Sequence, residues 1–147
     1  KIKSEPDFHL VIANSNIKHS TESVVAGVKQ FKEENEVEFS NLCNDESKLV
    51  EDVLKLLNNN SIKELGQKII QNQVYLETIG VSNEKLRNMI QVGQKSSFGA
   101  KITGAGGGGC IFSLTDESNL EHSINQFKDK NYECFSVKID FKGLDTF

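Results

Sequence analysis

Between Thr103 and Cys110 the chain carries five glycines and one alanine, Gly104-Ala105-Gly106-Gly107-Gly108-Gly109, with Lys101-Ile102 ahead of them. Glycine loses more backbone freedom on folding than any other residue, so a run this dense asks for a reason. Two are available. The run can be a tight connection that needs several left-handed backbone positions, or the missing side chains can let backbone N–H groups close on a phosphate or a carboxylate, as concave runs of amides do. Gly104, Gly106 and Gly109 satisfy the GxGxxG spacing of dinucleotide folds, but that spacing acts where a helix follows and turns its positive end to the pyrophosphate. Here Cys110-Ile111-Phe112-Ser113-Leu114 follows, a short apolar run of strand character. No lysine followed by serine or threonine closes the loop, which excludes a Walker-type phosphate loop.

The remaining reactive side chains offer little pattern. Cys43, Cys110 and Cys134 are odd in number and lack CxxC spacing, so neither a disulfide framework nor a zinc site is indicated, and a reducing intracellular compartment is expected. His9, His19 and His122 stand far apart without HxxxH or HExxH spacing and read as surface or satisfied histidines; no metal is expected to be held by this chain alone. A formal net charge of −4 gives no broad cationic surface, which disfavours nucleic acid and anionic membranes as partners. No apolar run approaches the roughly 20 residues of a membrane span. The 147 residues suit one compact domain with a small-molecule or protein partner. Residues 1–7 begin with lysine and lack the apolar stretch of a signal peptide, so the chain reads as the downstream part of a longer polypeptide.

The elements that must position the loop are legible in outline. Phe8-His9-Leu10-Val11-Ile12-Ala13 is too short for a globular helix and rich in branched residues, which predicts a buried strand. After a loop over residues 14–19, the hydroxyl of Ser20 or Thr21 can cap a helix whose apolar face is Val24, Val25, Val28 and Phe31. The charged stretch 32–38 is expected to turn the chain before a second helix carrying Leu49, Val53, Leu56 and Leu57, which ends at Asn58-Asn59-Asn60. Ser61-Ile62-Lys63-Glu64 has capping-box spacing, and Leu65, Ile69, Leu76 and Ile79 carry a third helix to a stop at Gly80. A short helix from Ser82 is expected to bury Leu86, Met89 and Ile90. Strand, glycine loop and strand then follow, and after them a helix capped by Thr115 with Leu120, Ile124 and Phe127. In a last, half-buried strand Phe135, Val137, Ile139 and Phe141 alternate with Cys134, Ser136, Lys138 and Asp140. This order predicts an α+β fold, a two-layer domain with a small, mostly antiparallel sheet and helices packed on one face.

The loop and its apolar strand resemble the third, C-terminal glycine-rich motif of the GHMP small-molecule kinases. Two further blocks extend the resemblance. Val11-Ile12-Ala13-Asn14-Ser15-Asn16-Ile17, Ser20-Thr21 and Val25-Ala26-Gly27-Val28 are similar to the strand and helix start of that family's C-terminal domain, and Asn72-Gln73, Leu76, Gly80-Val81 and Leu86 to the segment before its loop. The resemblance implies a ferredoxin-like C-terminal domain over residues 1–147 and transfer of the γ-phosphoryl of ATP to a substrate hydroxyl in the presence of Mg2+. The flanking blocks are nearest to the branch that phosphorylates the 5-hydroxyl of mevalonate for isoprenoid and sterol synthesis. A GHMP kinase of phosphomevalonate, a sugar or homoserine is the alternative within the family, and a non-catalytic ligand-binding or interaction domain the alternative outside it.

In that family the main ATP loop, the Mg2+-binding side chains and the catalytic groups belong to an N-terminal domain, whose motifs do not occur in this sequence. The resemblance therefore implies that no catalytic residue lies in this chain, that the missing N-terminal domain is its partner and mainly holds ATP and Mg2+, and that mevalonate binds between the two. Carried over residue by residue, Thr21 matches a threonine lining the mevalonate pocket and Ala105 the loop alanine that touches substrate. Gly104 adjoins it, with Gly106, Gly107 and Gly108 near the transferred phosphate. Thr21 also has the reading of an ordinary N-cap, and Lys101 that of a solvated strand-end lysine. His19 and Lys18 depart from the arginine and proline of animal members. Family habit adds a possible homodimer and a cytoplasmic location as expectations.

Overall fold

The computed structural model describes residues 7–140. Strand β1 (His9–Asn14) is central and pairs antiparallel with β3 (Cys110–Thr115) on one side and β4 (Glu133–Lys138) on the other; β2 (Gly99–Ile102) completes the order β2-β3-β1-β4. Helices α1 (Thr21–Glu34), α2 (Glu36–Asn58), α3 (Ile62–Thr78) and α4 (Glu84–Ser96) fill the chain between β1 and β2, and α5 (Leu120–Lys128) joins β3 to β4. This is the α+β arrangement of an antiparallel sheet with helices that the pattern predicts.

Successive side chains of a strand point to opposite faces, and the register sorts them into layers. Val11, Ala13, Ala100, Ile102 and Ile111 form one buried face, met by Leu86, Met89 and Ile90 of α4 and Phe127 of α5. A second cluster joins Phe8, Leu65 and Leu114 with Leu10 and with Val53 and Leu57 of α2. Helix α3 closes the β2 side, where Gly66 and Gly99 meet backbone to backbone; a Cβ on Gly66 would strike the Phe98 carbonyl, and one on Gly99 the carbonyl of Gly66. Among the described residues no helix is long and apolar enough to cross a membrane.

Several local expectations are corrected. The turn expected over residues 32–38 shrinks to Asn35, whose N–H and side-chain amide both return to the Phe31 carbonyl while α2 starts at the next residue. The apolar face of α1 finds no core: none of its residues is buried and Val25 is 58 % exposed. Ser61 makes no side-chain cap bond, because Asn60 just before it takes a left-handed φ of 56° and the Ser61 backbone is not extended. Helix α4 starts at Glu84, capped by Asn83, rather than at Ser82, and Asp116 rather than Thr115 caps the short 3-10 turn ahead of α5. In β4 the expected alternation fails at one end of the strand, while Val137 stays partly buried and Ser136 and Lys138 exposed. Pairing with Ala13 brings Cys134 to the helix-covered core, leaving Phe135 57 % exposed. Phe141, read as the end of that strand, lies outside the described residues.

Candidate functional site

The glycine loop bridges β2 and β3 and is held at three levels. At its neck the Thr103 N–H and hydroxyl both donate to the Cys110 carbonyl, at 3.0 and 3.1 Å. Gly109 is fixed by the β1–α1 connection, donating its N–H to Ile17 O at 3.2 Å and accepting from the Ser15 N–H at 2.8 Å. Gly107 is fixed from the other side by the α3–α4 connection. Its N–H donates to Val81 O at 2.7 Å, and its carbonyl accepts from Asn83 Nδ2 at 3.0 Å.

The other loop amides are free. Among the described residues the N–H groups of Gly104, Ala105, Gly106 and Gly108 meet no acceptor in the chain. Gly106 and Gly108 are buried, and a shielded donor without a partner costs about 1–3 kcal/mol, so these groups call for an acceptor from outside the chain. The conformational explanation of the glycine run is met at several positions, four of its five glycines taking a left-handed φ. Gly104 has a φ of 65° with open space where a Cβ would stand, so it serves backbone conformation alone. Gly106, with a φ of 84°, is also pressed against the Val81 carbonyl where no Cβ fits.

Helix α1 starts beside the loop. Ser20 is its cap, accepting from the Ser23 N–H at 3.4 Å, so the exposed hydroxyl of Thr21 is not consumed in capping. Val24 lies against Gly107, and the His19 ring covers residues 107–109, with Nδ1 3.0 Å from where a Cβ on Gly108 would stand. Ala105 is half-buried and lines an apolar cavity of about 350 Å³ with Val24, Val28, Leu76 and Ile79. The fold thus gathers Gly104, Ala105, Gly106, Gly107 and Gly108 in one loop with the first turns of α1 alongside. Lys101 is half-buried, its ammonium 5.7 Å from the Phe112 ring centroid; burial pushes its pKa down, against an opposing pull from Glu46. The expectation of a fully solvated strand-end lysine is therefore not met. No three His, Cys, Asp or Glu side chains among the described residues converge as a metal site.

Sequence reasoning missed the residues that pin the loop. Ile17 and Val81 act through backbone carbonyls, which leave no mark on residue type, and Asn83 carries the signature of a helix cap only.

The model of the family described as GHMP kinases C terminal matches residues 53–133, more than half of the chain. The chain belongs to the GHMP kinase C-terminal family. The match starts within α2 and ends at the first residue of β4, so the entire glycine loop lies inside it. This GHMP kinase chain is similar to the mevalonate kinase of Candida albicans, 30 % identical over 97 % of the chain and 36 % of that enzyme. It is similar to the mevalonate kinase of Arabidopsis thaliana, 24 % identical over 97 % of the chain and 40 % of the relative. Among solved structures, L. major mevalonate kinase in complex with R-mevalonate superposes with a TM-score of 0.86 at 24 % identity, over 93 % of the chain and 44 % of that protein. Streptococcus pneumoniae phosphomevalonate kinase, in complex with phosphomevalonate and AMPPNP, superposes with a TM-score of 0.81 at 19 % identity over 95 % and 42 %. At these identities the superpositions establish the fold. The GHMP kinase chain spans less than half the length of these relatives.

Proposed function

We propose that this chain is the C-terminal domain of an ATP-dependent mevalonate kinase, with residues 104–108 forming one wall of the cleft where the γ-phosphoryl of ATP passes to the 5-hydroxyl of mevalonate. The observation that carries the reading is the set of unpartnered N–H groups of Gly104, Ala105, Gly106 and Gly108 in a loop held from both sides. Phosphoryl transfer spreads negative charge over the phosphoryl oxygens, and donors already fixed toward that charge need no reorganisation when it develops.

The donor set fits an anionic oxygen. It consists of N–H groups, and in this reading Mg2+ and most of the nucleotide fall to the N-terminal domain of the full-length protein, as the family resemblance implies. In this reading the Thr21 hydroxyl and the Ala105 methyl line the mevalonate side, and a larger side chain at Ala105 would enter the cleft. Similarity to the Candida albicans mevalonate kinase across 97 % of the chain supports mevalonate as acceptor.

The test is ADP release by the full-length protein with ATP and Mg2+, offering mevalonate, phosphomevalonate, galactose and homoserine in turn. Release that depends on mevalonate is expected, and Ala105→Phe should raise KM for mevalonate or lower kcat by more than about tenfold. Unchanged kinetics in that variant would remove Ala105 from the site. Absence of mevalonate-dependent release would overturn the kinase reading, and micromolar ligand binding without turnover would put a binding module in its place.

A further inference from the structure

Asn83 lies outside the loop, 24 residues before Gly107, and both ends of its side chain are engaged. Oδ1 accepts the Leu86 N–H at 3.0 Å and caps α4, while Nδ2 donates to the Gly107 carbonyl at 3.0 Å. The second bond has a directional consequence. The Gly107 carbonyl and the Gly108 N–H belong to one planar peptide unit and point in opposite directions, so a grip on the oxygen fixes where the N–H aims. That peptide is flanked by glycine on both sides, where φ of either sign is accessible and a flip of the plane is cheap. The neighbouring units are tied by backbone bonds, Gly107 N–H to Val81 O and Gly109 N–H to Ile17 O. Between them, among the described residues, Asn83 alone holds the 107–108 unit, and the N–H it aims is one that meets no acceptor there.

We infer that Asn83 is a positioning residue that selects one of two orientations of the 107–108 peptide and thereby presents the Gly108 N–H to an anionic oxygen of the transferring phosphoryl group. The catalytic half of this inference rests on the kinase reading; the orientational half does not. A carboxylate at position 83 keeps the cap but replaces the donor with an acceptor, which favours the flipped plane with the Gly108 N–H turned toward position 83. A serine also caps a helix but is too short to reach Gly107, and frees the plane to take both orientations.

The experiment compares Asn83→Asp and Asn83→Ser with the unaltered full-length protein by hydrogen exchange and steady-state kinetics. Exchange in the peptide containing Leu86 should stay as it is, showing an intact cap, while exchange across residues 104–110 changes in both variants. With mevalonate as acceptor, kcat should fall by more than about tenfold in the Asp variant and by less in the Ser variant, with KM for mevalonate altered less than about threefold. A kcat within about twofold of the unaltered protein in the Asp variant, with loop exchange changed, would overturn the catalytic role and leave Asn83 a structural residue. Unchanged loop exchange in both variants would overturn the lock itself. Should the unaltered protein show no mevalonate-dependent turnover, the kinase reading and the catalytic half fall together, and the exchange comparison still decides the lock.

Discussion

Gln73 of α3, 1 % exposed, accepts the backbone N–H of Ile102 at 2.9 Å, joining the helix to the outer edge of β2 two residues ahead of Gly104. Its amide nitrogen donates to Glu77 Oε1 at 2.9 Å, so both ends of a buried polar side chain are satisfied. An edge strand otherwise leaves its N–H row without partners, and here a helix supplies the acceptor from the side. The loop is thus anchored at its entrance as well as at Gly107 and Gly109.

Gln73→Leu should keep the volume and lose the acceptor, leaving the Ile102 N–H buried without a partner. The expected cost is about 1–3 kcal/mol, read as a lower urea midpoint with an unchanged slope. A midpoint equal to that of the unaltered protein would show that the bond contributes nothing net.

Two glycines in helices should respond to alanine with opposite signs. Gly66→Ala drives a methyl into the Phe98 backbone, which cannot retreat without separating α3 from β2, and a loss of about 1–3 kcal/mol is expected. Gly27→Ala meets nothing within 4 Å on exposed α1 and should gain up to about 1 kcal/mol from helix propensity. Thermal unfolding of both variants checks the pair; a destabilised Gly27→Ala would mean that α1 is packed against something through that position.

At Gly104 the left-handed φ is the sole demand on the residue. Gly104→Ala should therefore cost about 1–2 kcal/mol, and Gly104→Asn much less, since asparagine tolerates that conformation. Equal losses for the two, measured by chemical denaturation, would point to a steric rather than a conformational constraint.

Lys101 gives a pH dependence with a definite sign. Burial lowers its folded pKa below the ordinary 10.5, so above that lowered value the unfolded chain binds more protons than the folded one. Its contribution to stability then rises with pH between the lowered value and 10.5 and is flat on either side. Lys101→Met should remove this rise, so the unfolding free energy of the variant minus that of the unaltered protein falls as the pH climbs through the window. A difference independent of pH would contradict the assigned direction.

Much of the fold is written in residue types. The glycine run between two apolar runs predicts strand, loop and strand, and Leu86, Met89 and Ile90 enter the core as their spacing requires. The capping failures are local, at Asn60 and Asp116, whereas the failures of burial arise where contacts distant in sequence decide a local choice. In β4, hydrophobicity favours Phe135 as the buried residue, whereas the register against Ala13 turns Cys134, partly buried, toward the core. In α1 the apolar stripe is real, yet it is covered only in part, with Phe31 beside Phe39 of α2 and none of its residues buried. At the site, the loop is legible because glycine is chemically exceptional, while its anchors at Ile17 and Val81 are carbonyls that any residue would supply.

The central position of β1 has a kinetic consequence. His9 pairs with Thr115 and with Lys138, partners more than one hundred residues away, while α1 to α4 are built largely from neighbours in sequence. Closing so long a loop is unfavourable until the strands reward it, and topologies of this kind fold slowly. The helical middle can therefore gather first and the sheet zip late, with β1 docking between β3 and β4 as the concluding step. Since Ser15 and Ile17 grip Gly109 only once β1 has docked, the candidate site would be the final part of the molecule to take shape and the earliest to come apart.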